Sequence, residues 1–342
     1  MVSTNKNILM INMASGFGGG EFQTEQLILS LKGYNIFFFG KSNGKLKRKL
    51  QETAPSVKIL NCYQLFLLCL RTVKNKNLII HAQDGRGAHI AGVLKRLFNI
   101  PIIITRHVSF PFKRKSSSYA YRSANAIIGV SKQITELLSP LNENSYTIYG
   151  CIKPLKENQL FEKTYFVDKT NKLSIAHIGN LQPVKNFELT IQLAANNPDI
   201  TFYIVGSGEL EHSLKHSAKN LCNVIFIPFT EYIGSVFKNI DLQIIPSHSE
   251  GLGGVILEGY KYKIPVLAHS TGGIPEIVED RITGYLSHSN NIEDYQYYLD
   301  ELKYNSKILS DFKTNISNFL AKNVFSADRM AEQYQDIYRK IY

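Results

Sequence analysis

The residues whose types and spacing suggest chemistry lie between positions 241 and 286, in DLQIIPSHSEGLGGVILEGYKYKIPVLAHSTGGIPEIVEDRITGYL. Glu250 and Glu258 are separated by seven residues, and Gly253 and Gly254 stand between them. An apolar run from Leu242 to Ile245 stops at Pro246; a polar turn follows, and the glycines open an apolar segment, Val255 to Tyr262, of helical length and spacing. The predicted order is strand, loop, helix. The first turn of such a helix leaves backbone N–H groups unpaired at the positive end of the dipole, which suits a phosphate or pyrophosphate. Glu250 falls in the loop and Glu258 about one turn inside the helix, so both can face a ligand lying across the helix start. Carboxylates beside a phosphate need another target. Sugar hydroxyls fit, because an ionised carboxylate accepts strong hydrogen bonds and two hydroxyls can share it. Two solvated surface glutamates are the alternative reading.

The elements that must position these groups alternate along the chain. Strands are predicted at Asn7 to Asn12, Asn35 to Phe39, Val57 to Leu60, Leu78 to His81, Ile102 to Thr105, Ala126 to Val130 and Tyr146 to Tyr149. A second set begins at Leu173 to Ile178 and continues through Phe202 to Val205, Val224 to Ile227 and Leu242 to Ile245. Helical stretches lie between them, among them Tyr63 to Lys74, Arg86 to Phe98, Ser131 to Leu138 and Tyr232 to Asn239. Strands alternating with helices predict parallel, doubly wound sheets, whose ligands gather at the strand C-terminal ends. Two α/β sets imply two Rossmann-like domains facing a cleft, with residues 1–160 in the first and 168–325 in the second.

After the first strand, ASGFGGGE leads into a helix with Phe22, Leu27, Leu29 and Leu31 as candidate inward positions. This is not the GxGxxG fingerprint, and no acidic residue ends the second strand, so a nicotinamide dehydrogenase loses support. Two histidines, His81 in HAQDGRG and His107 in TRHVSF, stand at strand ends. Either is a candidate site group or a structural histidine. Asp84 and Arg86 are weaker candidates for an acceptor side.

The 342 residues, 44% of them hydrophobic, suit an ordinary globular protein and exclude wholesale disorder. The longest apolar runs, such as Leu65 to Leu70, are too short for a membrane span, and Ile8 to Met13 is too short for a signal-peptide core. Cys62, Cys69, Cys151 and Cys222 show no CxxC spacing, which predicts reduced thiols in a cytoplasm. No metal-ligand spacing is evident. The net charge of +11 is uneven, with 23 Lys and Arg against 8 Asp and Glu in residues 1–165. Lys45, Lys47, Arg48 and Lys49 form one cluster; Lys113, Arg114 and Lys115 form another beside Phe110 and Phe112. Such a basic half suits an anionic membrane surface or nucleic acid, or is simply solvated.

With these motifs in view, the chain resembles the retaining GT-B glycosyltransferases of the family-four type. PSHSEGLGGVILE matches their PS-x-x-E-G-x-G-x-x-x-x-E hallmark, and the likeness continues through IPVLAHSTGGIPEIV. The resemblance implies that Glu258 holds the ribose of a sugar nucleotide, that Glu250 faces the donor sugar, and that backbone amides of Leu252, Gly253 and Gly254 face the diphosphate. GNLQPVKN, from Gly179 to Asn186, matches the family's G-R-L-x-x-x-K-[GN] turn, making Lys185 the leaving-group cation. Asn180 replaces the usual arginine, so a planar bidentate donor is missing from the phosphate clamp. Gly206 belongs to a V-G-x-G turn, and Gly18, Gly19 and Gly20 stand where the family has a GG-[AG]-E turn admitting donor phosphates and acceptor. His107 occupies the place of the family's donor-sugar histidine, which favours it over His81. Gly150 to Lys153 lack the Asn and Asp of the family's N-G-[IV]-D segment. The resemblance also implies a C-terminal helix, over 326–342, that returns to the first domain.

The expected function is transfer, without a metal or cofactor, from a nucleotide-diphosphate sugar to a hydroxyl of a glycan or lipid-linked acceptor. The setting it implies is synthesis of a bacterial surface polysaccharide or lipopolysaccharide, in the cytoplasm or at the inner face of the plasma membrane. Uridine is the base the family suggests, the basic first domain is expected on an anionic membrane, and nucleic acid is not an expected partner. A GT-B sugar-nucleotide epimerase and a non-catalytic basic binding protein on a GT-B scaffold are the alternatives.

Overall fold

In a computed structural model the described residues are 6–73, 76–110, 118–166 and 173–342. The chain divides into two units, Met1–Cys151 with Phe325–Tyr342, and Ile152–Val324. Among the described residues the first contains seven strands: β1 (Asn7–Asn12), β2 (Asn35–Gly40), β3 (Lys58–Ile59), β4 (Leu78–Ala82), β5 (Ile102–Arg106), β6 (Ala126–Gly129) and β7 (Ser145–Thr147). They form one parallel sheet in the order β3-β2-β1-β4-β5-β6-β7. Ile8 to Ile11 and Ile102 to Ile104 are wholly buried. Continuous apolar runs of this kind mark strands covered on both faces, as helical crossovers require.

The second unit repeats the arrangement with β8 (Ser174–Ile178), β9 (Thr201–Val205), β10 (Val224–Ile227), β11 (Leu242–Ile245), β12 (Val266–His269) and β13 (Gly284–Ser287). Its parallel order is β10-β9-β8-β11-β12-β13. Each sheet therefore reverses its winding once, between β1 and β4 and between β8 and β11. Chains leaving neighbouring strands there diverge to opposite faces and open a crevice at the strand C-terminal ends.

Of the expectations above, the inward position of Leu29 is the one that differs in this part of the fold. The segment after Cys151 carries a helix, Gln159–Tyr165, whose start is capped by the Asn158 side chain accepting from Phe161 N–H. Leu29 is 45% exposed, whereas Thr24, Leu27, Ile28 and Leu31 turn inward. The inward face of helix Gly19–Ser30 follows the 3.6-residue period, which places Leu29 on the far side. The last helix, Ala327–Ile341, belongs to the first unit and buries Met330, Ala331, Tyr334, Ile337 and Tyr338 in that unit's core. Burial of four such large side chains at roughly 1.5–3 kcal/mol each is ample to hold it there. Lys113, Arg114 and Lys115, with Phe112, lie outside the described residues, as do residues 167–172. No helix among the described residues is long and apolar enough to cross a membrane.

Candidate active site

In the second unit the loops after β8 and β11 meet at the switch point. Gly179 follows β8, and the chain turns through Asn180 into a short 3-10 helix, Pro183–Lys185. His248 N–H donates to the Val184 carbonyl at 2.8 Å, tying the β11 loop to the residue beside Lys185. Lys185 Nζ lies 2.5 Å from Glu250 Oε1, with side chains 24% and 11% exposed. Ser247 Oγ donates to the same oxygen at 2.8 Å. The carboxylate is thus oriented from two sides through this one oxygen. Gly272 supports this loop from behind. Its φ is +59°, and a Cβ there would stand 1.9 Å from the Glu250 carbonyl oxygen, so only glycine allows the approach.

The helix beyond the loop runs from Gly254 to Tyr260, with Gly253 at its cap in the left-handed region at φ +86°. A Cβ at Gly254 would meet nothing within 4 Å, so the helix start is open on that side. Leu252, before it, is buried. The helix is set down closely on β11. A Cβ on Gly259 would lie 2.0 Å from Gln243 Nε2, and Gln243 is buried with that nitrogen donating to the Ile264 carbonyl at 3.2 Å.

This seating fixes Glu258, whose carboxylate forms an ion pair with Lys153 at 3.1 Å. The two side chains are 36% (Lys153) and 14% (Glu258) exposed. Burial raises the Glu258 pKa above the ordinary carboxylate value, while Lys153 and then Lys261 pull it back. Lys153 was not among the candidates from sequence. It lies in the segment that departs from the family pattern, and no local spacing signals a partner so distant in the chain.

In the first unit Gly18 caps helix Gly19–Ser30, and the Glu21 carboxylate accepts from Gly18 N–H at 2.8 Å. This one-way cap places a negative charge against the glycine turn, which argues against phosphate at the Gly18 amide itself. Gly20 faces His107: a Cβ at Gly20 would stand 3.3 Å from the His107 ring. His107 Nε2 lies 3.3 Å from Gln83 Oε1. A carbonyl oxygen only accepts, so Nε2 carries the ring proton and Nδ1 is left as an acceptor. Burial lowers the His107 pKa to about 4, keeping the ring neutral near pH 7. Gln83 was also missed from sequence, although it lies two residues from His81, just past the end of the same strand, a spacing that puts both side chains on one face.

His81 is itself a structural residue. It is fully buried, its Nδ1 lies 2.6 Å from the Tyr338 hydroxyl and its Nε2 2.8 Å from Thr105 Oγ1. Burial, followed by the His107 charge, lowers its pKa to about 3. Asp84 accepts from Gly87 N–H at 2.9 Å and Met13 N–H at 3.0 Å, capping helix Gly85–Phe98 and pinning the loop after β1. Those bonds give Asp84 a structural duty where an acceptor contact was expected, and Arg86 is exposed on the same helix. Gly206 has a backbone reason to be glycine: φ is +143°, and a Cβ would meet the Gly179 carbonyl oxygen at 1.9 Å. The structure therefore brings Lys185, Glu250, Gly179 and the Leu252–Gly254 loop together, holds Glu258 on the adjoining helix, and leaves Asn180 exposed. Among the described residues no group of three or more His, Cys, Asp or Glu is placed to hold a metal.

Paired α/β units whose parallel sheets share one winding order are the GT-B class of fold. A family model for glycosyl transferases group 1 matches residues 160–319. The chain thus carries a group 1 glycosyl transferase domain over most of its second unit and is a glycosyltransferase. An uncharacterized glycosyltransferase of Haemophilus influenzae is 28% identical over 249 residues, which cover 70% of this chain and 70% of that protein. The UDP-Gal:alpha-D-GlcNAc-diphosphoundecaprenol alpha-1,3-galactosyltransferase of Escherichia coli is 25% identical over 301 residues, 78% of this chain and 76% of its own length. Among solved structures, Anabaena HepE in complex with UDP aligns with a TM-score of 0.83 at 18% identity, over 98% of this chain and 100% of that one.

Proposed function

We propose that this glycosyltransferase moves a sugar from a UDP-sugar to a hydroxyl of a glycan or lipid-linked acceptor, with retention at the anomeric carbon. The observation that carries the reading is the Lys185–Glu250 pair at the β8/β11 switch point, with the open helix start beside it. As the anomeric C–O bond breaks, negative charge collects on the departing diphosphate. Lys185 and the backbone amides of Leu252 to Gly254 stabilise it, an electrostatic contribution that grows in a site closed to water. Glu250, kept in place by Ser247, turns its other oxygen to sugar hydroxyls, and Glu258 takes the ribose. The leaving phosphate accepts the proton of the attacking hydroxyl, so no protein base is needed.

The uridine assignment is supported by the UDP-Gal substrate in the name of the Escherichia coli relative and by UDP in the HepE complex. The same relative acts on a diphosphoundecaprenol-linked sugar, which supports a lipid-linked acceptor and surface-polysaccharide or lipopolysaccharide synthesis at the cytoplasmic face of a membrane. The test is a thermal-shift titration with UDP, GDP, ADP and their sugar conjugates, beside Glu258→Ala. A nucleotide at ~100 times its Kd adds about 2.7 kcal/mol to native stability. The expected result is a shift with UDP that Glu258→Ala reduces; no shift with any nucleotide would refute the donor assignment. Anomeric NMR of the product tests retention, and an inverted product would remove it.

A further inference from the structure

Two helices of the first unit present apolar outward faces. Helix Cys62–Val73 turns Leu65, Cys69 and Thr72 inward and exposes Tyr63, Phe66 and Leu70 at i, i+3 and i+7. Helix Gly85–Phe98 buries Ala88, Ala91 and Leu94 and exposes Val93 and Leu97 at i and i+4. These five side chains are 47% to 69% exposed. The Phe66 and Phe98 rings meet edge to face at 5.8 Å, so the two faces adjoin. A surface helix ordinarily keeps its outward stripe polar, and adjoining exposed apolar faces mark an interaction site.

The exposed charges carried by the two helices themselves have one sign. Arg71, Arg86 and Arg96 are exposed, and neither helix contains an Asp or Glu. Arg86 lies seven residues before Val93, on the same stripe of its helix. A second protein surface of ordinary composition would find no acidic partner for its lysines and arginines here. Lipid phosphates above an acyl layer match both features at once, since the guanidinium groups meet phosphate while aromatic and aliphatic side chains enter the interface.

We infer that this face docks the first unit on an anionic lipid bilayer, with Phe66 and Leu97 inserted at the headgroup boundary and Arg71, Arg86 and Arg96 against lipid phosphates. The inference goes beyond the transferase reading and does not depend on it. It also moves the docking face away from the basic cluster on helix Lys45–Thr53. That helix exposes Lys45, Arg48 and Lys49 but buries Leu46 and Leu50, so it has charge and nothing to insert.

The full chain is floated at low salt with phosphatidylcholine vesicles and with phosphatidylcholine–phosphatidylglycerol vesicles. Wild type is expected to float with the anionic vesicles. Phe66→Ser with Leu97→Ser should lower the bound fraction by about 10-fold or more, and Arg71→Glu with Arg96→Glu should remove the preference for phosphatidylglycerol. Lys47→Glu with Lys49→Glu should retain most of the binding. Full flotation of the Phe66→Ser/Leu97→Ser variant, or loss confined to the Lys47→Glu/Lys49→Glu variant, would overturn the assignment. So would a wild-type dimer in sedimentation velocity that ignores vesicles and is split by Phe66→Ser/Leu97→Ser, because a second copy would then occupy the face. UDP thermal shifts on the same samples report folding and donor binding separately. Flotation without any nucleotide response would sink the donor assignment and leave the docking face standing.

Discussion

Lys153→Ala tests how the second unit holds Glu258. The substitution leaves a carboxylate that is 14% exposed without its cation 3.1 Å away. Removing one partner of a fully buried pair costs about 3–5 kcal/mol, whereas an exposed pair is worth about 0–1 kcal/mol. Lys153 is 36% exposed, so the expected loss lies between these limits, at about 1–2 kcal/mol. For a unit of this size that lowers the melting temperature by about 2–8 °C. The pH dependence has a definite sign. Glu258 is already shifted upward by burial, so keeping it ionised works against folding once the pH is above its folded pKa. Lys153→Ala raises that pKa further. The destabilisation should therefore be full near neutral pH and fade as the pH falls through the raised folded pKa towards the ordinary glutamate range. Thermal melts of wild type, Lys153→Ala, Glu258→Gln and the double variant, at neutral and acidic pH, measure the coupling. Glu258→Gln should rescue Lys153→Ala at neutral pH by removing the unpaired charge. Equal effects of Lys153→Ala at both pH values, or no rescue, would refute the ion pair as the means of holding Glu258.

Lys185→Ala should lower turnover by ~100-fold or more at saturating donor, as for other preorganised electrostatic groups; steady-state kcat near wild type would take Lys185 out of the chemistry. His107 should remain neutral across pH 5–8, because burial holds its pKa at about 4. Ring-nitrogen NMR showing His107 titrating near the usual histidine value would contradict that environment, and unchanged turnover of His107→Ala would end its proposed role at the sugar. Gly206→Ala should cost ~3 kcal/mol or more, because a left-handed φ combines with a clash on the Gly179 carbonyl. Its readout is the melting temperature without ligand, and a near-wild-type value would show that the turn relaxes.

Part of the site was legible because its signals are local. The strand before Pro246, the glycines at 253 and 254 and the apolar helix after them occur within one short stretch, and turn chemistry and periodicity act over a few residues. The paired units were likewise visible as alternating strands and helices. Leu29 shows the limit of even this local reading, since membership of an apolar series does not settle which stripe faces the core.

The sequence by itself determined the alternation of elements, the loops at which a ligand would gather, and the carboxylates and lysine available there. The tertiary structure decided which of these groups meet. Lys153 reaches Glu258, Gln83 orders His107, and Tyr338 holds His81 across 257 positions of the chain. It also decided that Gly206 answers to the Gly179 carbonyl and that Asp84 is a cap. The reason is physical: backbone propensity depends on near neighbours in sequence, whereas charge pairing, desolvation and close packing depend on distances set only when the sheets have formed.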